Sequence, residues 1–393
     1  MWGDIAIAFL IAFLASFMAT PHTINIANKL GAVDTPKDER RINKVTMPRL
    51  GGLAVIAGFF LSVIYLLVIM SIESKIILSQ DNYVQKLIGF ILGAVVLGIT
   101  CFVDDVKGVK AIIKLMAQII AALIVVRFGI KIENLDIPFL NLDNAGSTFY
   151  TVLTVGWIVG ITNAMNLIDG LDGLSTGITL ISCVSLLIIF SLNDSPLISI
   201  ILITALAGAL TGFLPYNFNP AKTFIGDTGS NFLGYCLSII SILGIAKTYT
   251  AIVIVAPLLV LALPIFDTVY AIIRRIINGK SLKAIIQPDA GHLHHKMLKK
   301  GFTQKQAVLI LYLISATFGM FAIILMESGI WKALSFAIMI ILIIAAGYKE
   351  FFKQRLLVPI HEEVEDPNTP IEGQEIIESM NDEEERPRIR RIK

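Results

Sequence analysis

Apolar runs about as long as a bilayer is thick recur through most of this chain, and no other feature restricts its fold as much. A hydrocarbon core of about 30 Å needs roughly 20 apolar residues in helical form. Inside lipid, only a helix or a closed barrel satisfies its own backbone polar groups. Eleven segments qualify as candidate spans, near 4–26, 50–71, 85–103, 111–128, 148–162, 173–192, 197–215, 229–246, 249–270, 306–326 and 331–348. The first is expected to be interrupted at Pro21 and His22, and the fifth is short. Composition agrees, with 55% of the 393 residues hydrophobic and 16% charged, an apolar share above that of soluble domains. The expected fold is all-α, a polytopic integral membrane protein of about eleven transmembrane helices. Cys101, Cys183 and Cys236 each fall within an apolar run without Cys-x-x-Cys spacing. They read as small buried hydrophobes rather than a disulfide or zinc set. Met1-Trp-Gly-Asp4 lacks a basic leading region, so a cleaved signal peptide is not expected.

Charge is segregated along the chain, so the net +2 says nothing about nucleic acid, and no nucleic-acid partner is expected. With the amino terminus outside, 26 Lys and Arg fall on the cytoplasmic side against six outside, and 18 against six without the tail. The positive-inside tendency thus predicts an external amino terminus, a cytoplasmic carboxy terminus and a plasma-membrane location. The same topology puts the Asp104-Asp105, Asn163–Asp172, Asn217–Asp227 and His292–His295 loops on the cytoplasmic face. Residues 1–350 read as the membrane domain and 351–393 as a cytoplasmic tail. Glu362 to Glu385 is acid-rich and interrupted by prolines, and the end is basic. Such a composition favours disorder, with contact to anionic lipid headgroups open to the basic end.

Ionisable groups beside a bilayer are costly and mark function by default. Asp104 and Asp105 end one apolar run, with Lys107, Lys110 and Lys114 following. Adjacent carboxylates repel unless a cation lies nearby, and Mg²⁺ takes one or two carboxylates plus waters and substrate phosphates. Asn163, Asn166, Asp169 and Asp172 step by three, which on a helix gives one polar stripe, although Gly170 and Gly173 argue for a turn or a break there. Phe224-Ile-Gly-Asp-Thr-Gly-Ser-Asn231 places Asp227 and two glycines at the start of an apolar helix. Free N–H groups at such a start suit a phosphate, and an ordinary helix cap by Asp227 or Thr228 is the plainer reading. Asn217, ten residues before Asp227, is within reach of the same site. His292-Leu-His-His295 gathers three imidazoles in the longest basic loop. Phosphate contact is the expected role. Zinc, of which clustered His is the usual signature, competes, but the absence of a nearby Cys counts against it, and a loop without function is the plain alternative. Carboxylates, imidazoles, cations and glycine turns on one membrane face suit phosphoryl chemistry between an anionic soluble substrate and a lipid.

These motifs resemble the polyprenyl-phosphate N-acetylhexosamine-1-phosphate transferases of glycosyltransferase family 4. The resemblance runs over residues 1–350 and rests on Asp104-Asp105, Asn166-Leu-Ile-Asp-Gly-Leu-Asp-Gly173, Asn217 with Gly226-Asp-Thr-Gly229, and His292-Leu-His-His295, with support from Pro48-Arg-Leu-Gly-Gly52. It implies that a lipid phosphate attacks the β-phosphate of a UDP-N-acetyl sugar and releases UMP. The implied cofactor is Mg²⁺, with Mn²⁺ as a substitute. Asp227 would ligate it, with Asp105 supporting the metal and phosphate network and Asp104 assisting the lipid phosphate. Asn166, Asp169, Asp172 and Phe224 would line the nucleoside side. Lys44, Lys114, Asn217, His292, His294 and His295 would address phosphates. Implied partners are undecaprenyl phosphate, the UDP-sugar and membrane lipids. A homodimer is allowed but not specified.

Two departures sort the chain within that family. The muramoyl-pentapeptide branch typically has Thr-Pro-Thr-Met-Gly-Gly and three consecutive histidines, whereas Met47-Pro-Arg-Leu-Gly-Gly52 and His-Leu-His-His resemble the N-acetylglucosamine-1-phosphate branch that primes teichoic acid, O-antigen or related polymers. That branch often shows Arg-Lys-x-His in the first loop, where this chain has Arg40-Arg-Ile-Asn43. The muramoyl-pentapeptide reaction is the alternative within the family. An ion-coupled transporter is the alternative outside it, but transporters place such acids near the midplane and show internal repeats.

Overall fold

The computed structural model describes residues 2–35, 46–73, 82–133, 146–245, 251–279 and 291–357. Lys44 and the tail beyond Leu357 therefore lie outside the described residues. Thirteen helices follow in order: α1 Trp2–Leu30, α2 Gly52–Ile72, α3 Tyr83–Lys107, α4 Ala111–Arg127, α5 Ser147–Ile168, α6 Leu174–Leu192, α7 Leu197–Asn217, α8 Gly226–Ile245, α9 Ala251–Val260, α10 Ala262–Gly279, α11 Leu293–Lys299, α12 Gln304–Ser328 and α13 Ile330–Leu357. A two-residue antiparallel ribbon, β1 Val33–Asp34 with β2 Met47–Pro48, pairs Val33 with Pro48. The chain divides into two units, Met1–Ala337 and Ile338–Lys393. In the second, the described residues are helical through Leu357.

Seven of the described helices are long and apolar enough to cross a bilayer. Their outward faces are apolar: on α3, Ile88, Ile91, Leu92, Val95 and Ile99 are exposed, while Phe90, Gly93, Ala94, Leu97 and Cys101 are buried. A helix with an apolar outer face as well as an apolar inner one suits lipid rather than water. This is an all-α polytopic membrane protein. At its centre stand α7, with 83% of its spanning window buried, and α8, buried at almost every position from Thr228 to Gly244. Around them α1 packs on α2 and α7, α5 and α3 on α8, α4 on α3, and α12 on α6 and α9.

Three segments differ from their sequence-based expectation. Pro21 sits inside an unbroken α1; proline removes one backbone bond, and α1 packs on both α2 and α7. The short fifth span is a full 22-residue α5, because Asn163 and Asn166 are helical rather than part of a loop. The ninth span is two helices, α9 and α10, broken at Leu261. Pro264 explains the break, since its ring opposes the carbonyl four residues earlier, that of Val260.

Candidate active site

The C-terminal ends of α3, α5 and α7 meet the N-terminal ends of α2, α4, α6 and α8, so one end of the bundle gathers the polar groups. The start of α8 is the pivot. Gly226 has φ +70, and a β-carbon there would collide with the Arg49 carbonyl and come within 2.8 Å of the Asp105 carboxylate. Glycine is thus what lets α8 begin against α3 and the lead-in to α2. Asp105, at the end of α3, caps α8 from another helix. Its Oδ1 accepts the Asp227 N–H (2.9 Å), and its Oδ2 accepts the Thr228 N–H (2.8 Å) and hydroxyl (2.6 Å). The lead-in is fixed by main-chain pairing: the Phe224 N–H donates to Pro48, and the N–H groups of Gly51 and Gly52 donate to Phe224 and Ile225. This pairing aims Arg49 at the carboxylates, 3.3 Å from Asp105 Oδ1 and 3.6 Å from Asp227 Oδ2.

Lys114 opens α4 and bridges two acids, with Nζ 2.8 Å from Asp104 Oδ2 and 3.2 Å from Asp227 Oδ2. Asp104 also accepts the Val109 N–H, which fixes the α3–α4 turn. Asn166 donates to Asp227 Oδ1 at 2.6 Å. Three carboxylates, Asp104, Asp105 and Asp227, therefore share two cations, Lys114 and Arg49.

Beyond them opens a cavity of about 380 Å³, lined by Asn166, Asp169, Asp172, Phe224, Asp227 and His295 among others. The Asn-to-Asp stripe is split as the glycines suggested: α5 ends at Ile168, and Asp169 and Asp172 lie in the turn before α6. Asp169 accepts from Ser175 Oγ at 2.6 Å, and burial pushes its carboxyl up to about 7. Asp172 Oδ2 accepts from the Asn219 side chain and the Ala221 N–H, while its buried Oδ1 has no hydrogen-bond partner among the described residues. Phe224 is half-buried at the cavity wall.

The histidines divide their work. His292 Nδ1 lies 2.8 Å from Asp267 Oδ2, and Asp267 Oδ1 accepts the Leu293 N–H, so α10 anchors the start of α11. His294 is 2% exposed and packs over Gly170, where a β-carbon would run into its ring. Burial holds its imidazole down to about 4, hence neutral at pH 7, and its Nε2 has no hydrogen-bond partner among the described residues. His295 faces the cavity.

One sequence-based expectation needs correction. The N–H groups at the start of α8 are not open to a phosphate, because Asp105 takes those of Asp227 and Thr228. Both Asp105 oxygens are so engaged, which makes Asp105 the cap of α8. Asn217 borders the cavity, where its Oδ1 accepts from the Thr176 hydroxyl (2.7 Å) and its Nδ2 donates to the Thr223 carbonyl (3.0 Å). Lys44 falls outside the described residues. Arg49 and Asp267 went unassigned from the sequence. Asp267 carries the signal that flagged the other acids, a carboxylate in an apolar run.

For a metal, the donor set is hard oxygen: Asp227 and Asp104 are brought together by one lysine. Among the described residues no group of three or more His, Cys, Asp or Glu side chains is arranged to hold an ion alone. That fits Mg²⁺, which binds through one or two carboxylates with waters and substrate phosphates, better than zinc in a closed cage.

The family model for glycosyl transferase family 4 matches residues 87–245, which carry every acid of this cluster. A probable undecaprenyl-phosphate N-acetylglucosaminyl 1-phosphate transferase of Bacillus subtilis is 39% identical over 341 residues, 86% of this chain and 89% of that protein. A decaprenyl-phosphate N-acetylglucosaminephosphotransferase of Mycobacterium tuberculosis is 33% identical over 338 residues, 79% and 80% of the two chains. A phospho-N-acetylmuramoyl-pentapeptide-transferase of Staphylococcus epidermidis is 35% identical over a shorter 254 residues, 60% of this chain and 74% of that one. With its helical membrane fold and this ring of conjoined helix ends, the chain belongs to glycosyl transferase family 4, among the polyprenyl-phosphate sugar-1-phosphate transferases.

Proposed function

We propose that this protein transfers N-acetylglucosamine-1-phosphate from UDP-N-acetylglucosamine to undecaprenyl phosphate, giving undecaprenyl-pyrophosphoryl-N-acetylglucosamine and UMP at the cytoplasmic face of the plasma membrane. The reaction would begin a cell-envelope glycan. The observation that carries the reading is the convergence of Lys114 and Arg49 on Asp104, Asp105 and Asp227 at the mouth of one cavity. In the step itself, an oxygen of the lipid phosphate bonds to the β-phosphorus, the bond from that phosphorus to the bridging oxygen breaks, and the oxygen leaves on UMP. A phosphate monoester has its second pKa near 6, so the attacking group is largely ionised at neutral pH and needs little help from a base. Asp104 then serves by holding Lys114 where the lipid phosphate must sit.

Charge neutralisation is the larger task in phosphoryl transfer. Lys114 and Arg49 supply fixed positive charge. Asp227, with Asp104, would hold Mg²⁺ or Mn²⁺, which when bound withdraws charge from the pyrophosphate. Asp172 supports a nucleoside at the far side, because its buried Oδ1 lacks a donor of the kind a base N–H offers. Phe224 gives that base an aromatic wall. Neutral His294 would offer hydrogen bonds rather than fixed charge, and His295 faces the cavity. The external amino terminus rests on the distribution of Lys and Arg.

The choice of sugar rests on the motifs and on the longer matches to N-acetylglucosamine relatives. The test is UMP release by purified protein with Mg²⁺, undecaprenyl phosphate and either UDP-N-acetylglucosamine or UDP-N-acetylmuramoyl-pentapeptide. UMP from the first alone is expected; UMP from the second alone would move the chain to the other branch.

A further inference from the structure

Three carboxamides lie one helical turn deeper in the bundle than the residues that meet at the site, and none of them lines the cavity. Gln118 follows Lys114 by four residues on α4, Asn231 follows Asp227 by four on α8, and Asn163 precedes Asn166 by three on α5. At those spacings each shares a helix face with its site residue. Gln118 is 3% and Asn231 0% exposed, and Asn163 is half-buried.

The three form a chain with a direction. Asn163 Nδ2 donates to Gln118 Oε1 at 2.6 Å and to the Val159 carbonyl at 2.8 Å. Gln118 Nε2 donates to Asn231 Oδ1 at 2.8 Å, with a longer contact of 3.4 Å to Asn163 Oδ1. Asn231 Nδ2 donates to the Asp227 carbonyl at 2.9 Å. That last acceptor is main chain and cannot be reversed, so it sets the orientation of Asn231, and through it of Gln118 and Asn163. The α5–α8 contact is also pinned by Trp157, whose Nε1 donates to the Ser238 carbonyl (3.2 Å) and the Ser241 hydroxyl (3.1 Å). At the site, Asn166 and Lys114 both reach Asp227; deeper than the site, the amide chain adds α4 to the α5–α8 contact. Apolar contact tolerates small slides and rotations, whereas a buried polar pairing specifies one register.

We propose that Gln118, Asn163 and Asn231 are positioning residues, a buried amide relay that sets the register of α4, α5 and α8 so that Lys114, Asn166 and Asp227 converge. The proposal rests on sugar-phosphate transfer at that site. The relay acts on the phosphate end alone, since Asp172 and Phe224 belong to other segments. Its loss should therefore slow turnover while leaving nucleotide recognition in place.

The test uses full-length detergent-purified protein and compares wild type with Gln118→Met, which keeps length and removes polarity, and Gln118→Glu, which keeps shape but cannot donate to Asn231 while ionised. UMP release gives kcat per folded molecule, KM for UDP-N-acetylglucosamine and the Mg²⁺ concentration for half-activation. Both variants are expected to lose at least tenfold in kcat, to keep KM within threefold, and to need more Mg²⁺. Wild-type kcat in either one overturns the relay, as does a loss confined to KM. A residue that only stabilised the fold would lower yield and melting temperature without changing kcat per folded molecule, and that result also overturns it. If neither Gln118 variant folds, Asn163→Ala at the half-buried end takes their place. A kcat at least threefold down with KM kept is then expected, and an unchanged kcat refutes the relay. Wild type that releases no UMP overturns the transferase reading itself, which is a different outcome from active wild type with unaffected variants.

Discussion

Replacing Asp105 separates a helix cap from a metal ligand, because only the cap contributes before any metal or substrate is present. Asp105 is 4% exposed and receives the Asp227 N–H, the Thr228 N–H, the Thr228 hydroxyl and, at 3.3 Å, Arg49. In Asp105→Asn one oxygen becomes an NH₂ group. If that group replaces Oδ2, the Thr228 hydroxyl can turn to accept from it, but the Thr228 N–H faces another donor and is orphaned. A buried unpaired donor costs about 1–3 kcal/mol, and losing the negative charge at a helix start adds about 0.3–2 kcal/mol. The sum is about 3 kcal/mol. Asp105→Ala orphans all three donors of α8 and should cost roughly 3–6 kcal/mol. The assay is thermal unfolding in detergent with EDTA present. At about 1–2 °C per kcal/mol for a chain of this length, Asp105→Asn should melt about 3–6 °C below wild type, and Asp105→Ala lower still. A metal-free melting temperature equal to wild type, together with a raised Mg²⁺ requirement, would refute the capping assignment and favour Asp105 as a ligand.

Other perturbations read other parts of the site. Asp172→Ala should weaken UDP-sugar binding about 10- to 100-fold through loss of a buried hydrogen bond, as measured by calorimetric titration, and unchanged affinity would remove Asp172 from the nucleoside pocket. Asp267→Asn should lower kcat by loosening His292 and the start of α11, with little change in KM for the nucleotide; an unaltered kcat would show that the Asp267–His292 pair is not needed. His294, lowered to about 4 from 6.5, binds protons more readily unfolded than folded, so its contribution to stability is present above about 6.5 and is lost as pH falls toward 4. Asp169, raised to about 7 from 3.8, has the opposite sign: folding favours its protonated form, so stability falls as pH rises through that window. His294→Gln should therefore gain stability relative to wild type on going from about pH 7 to about pH 4.5. A melting difference that is equal at both pH values would contradict the neutral buried imidazole.

Much of this was legible in the sequence because membrane helices declare themselves by length and composition. Each of the eleven segments overlaps a helix or, for 249–270, a pair of helices, and seven of the described helices are long and apolar enough to cross a bilayer. The acids at the ends of those spans were legible for the same reason, since a carboxylate is conspicuous against an apolar background. What remained hidden was the partner of each group. Asp105 and Asp227 are 122 residues apart, and nothing local reveals that one caps the helix of the other. Arg49 stood out as part of the Pro48-Arg-Leu-Gly-Gly52 entry but without a role, until main-chain pairing of its neighbours with Phe224 and Ile225 aimed it at the carboxylates. Nor does the sequence show that the Asn217 amide links the Thr176 hydroxyl to the Thr223 carbonyl. Breaks such as that at Leu261 come from proline geometry acting four residues away, which a hydropathy scan does not see.

The central claim is that a sugar-1-phosphate, not a sugar alone, moves to the lipid at the Asp227 cluster. The direct measurement is transfer from UDP-N-acetylglucosamine carrying radiophosphorus at the β-position, with undecaprenyl phosphate and Mg²⁺, comparing wild type with a folded Asp227→Ala. The label should enter the lipid fraction with wild type, accompanied by unlabelled UMP in equal amount, and transfer should fall by about three orders of magnitude or more in the variant. Label remaining in water-soluble UDP while the sugar moves would contradict phosphoryl transfer, and undiminished transfer by Asp227→Ala would place the chemistry elsewhere in the protein.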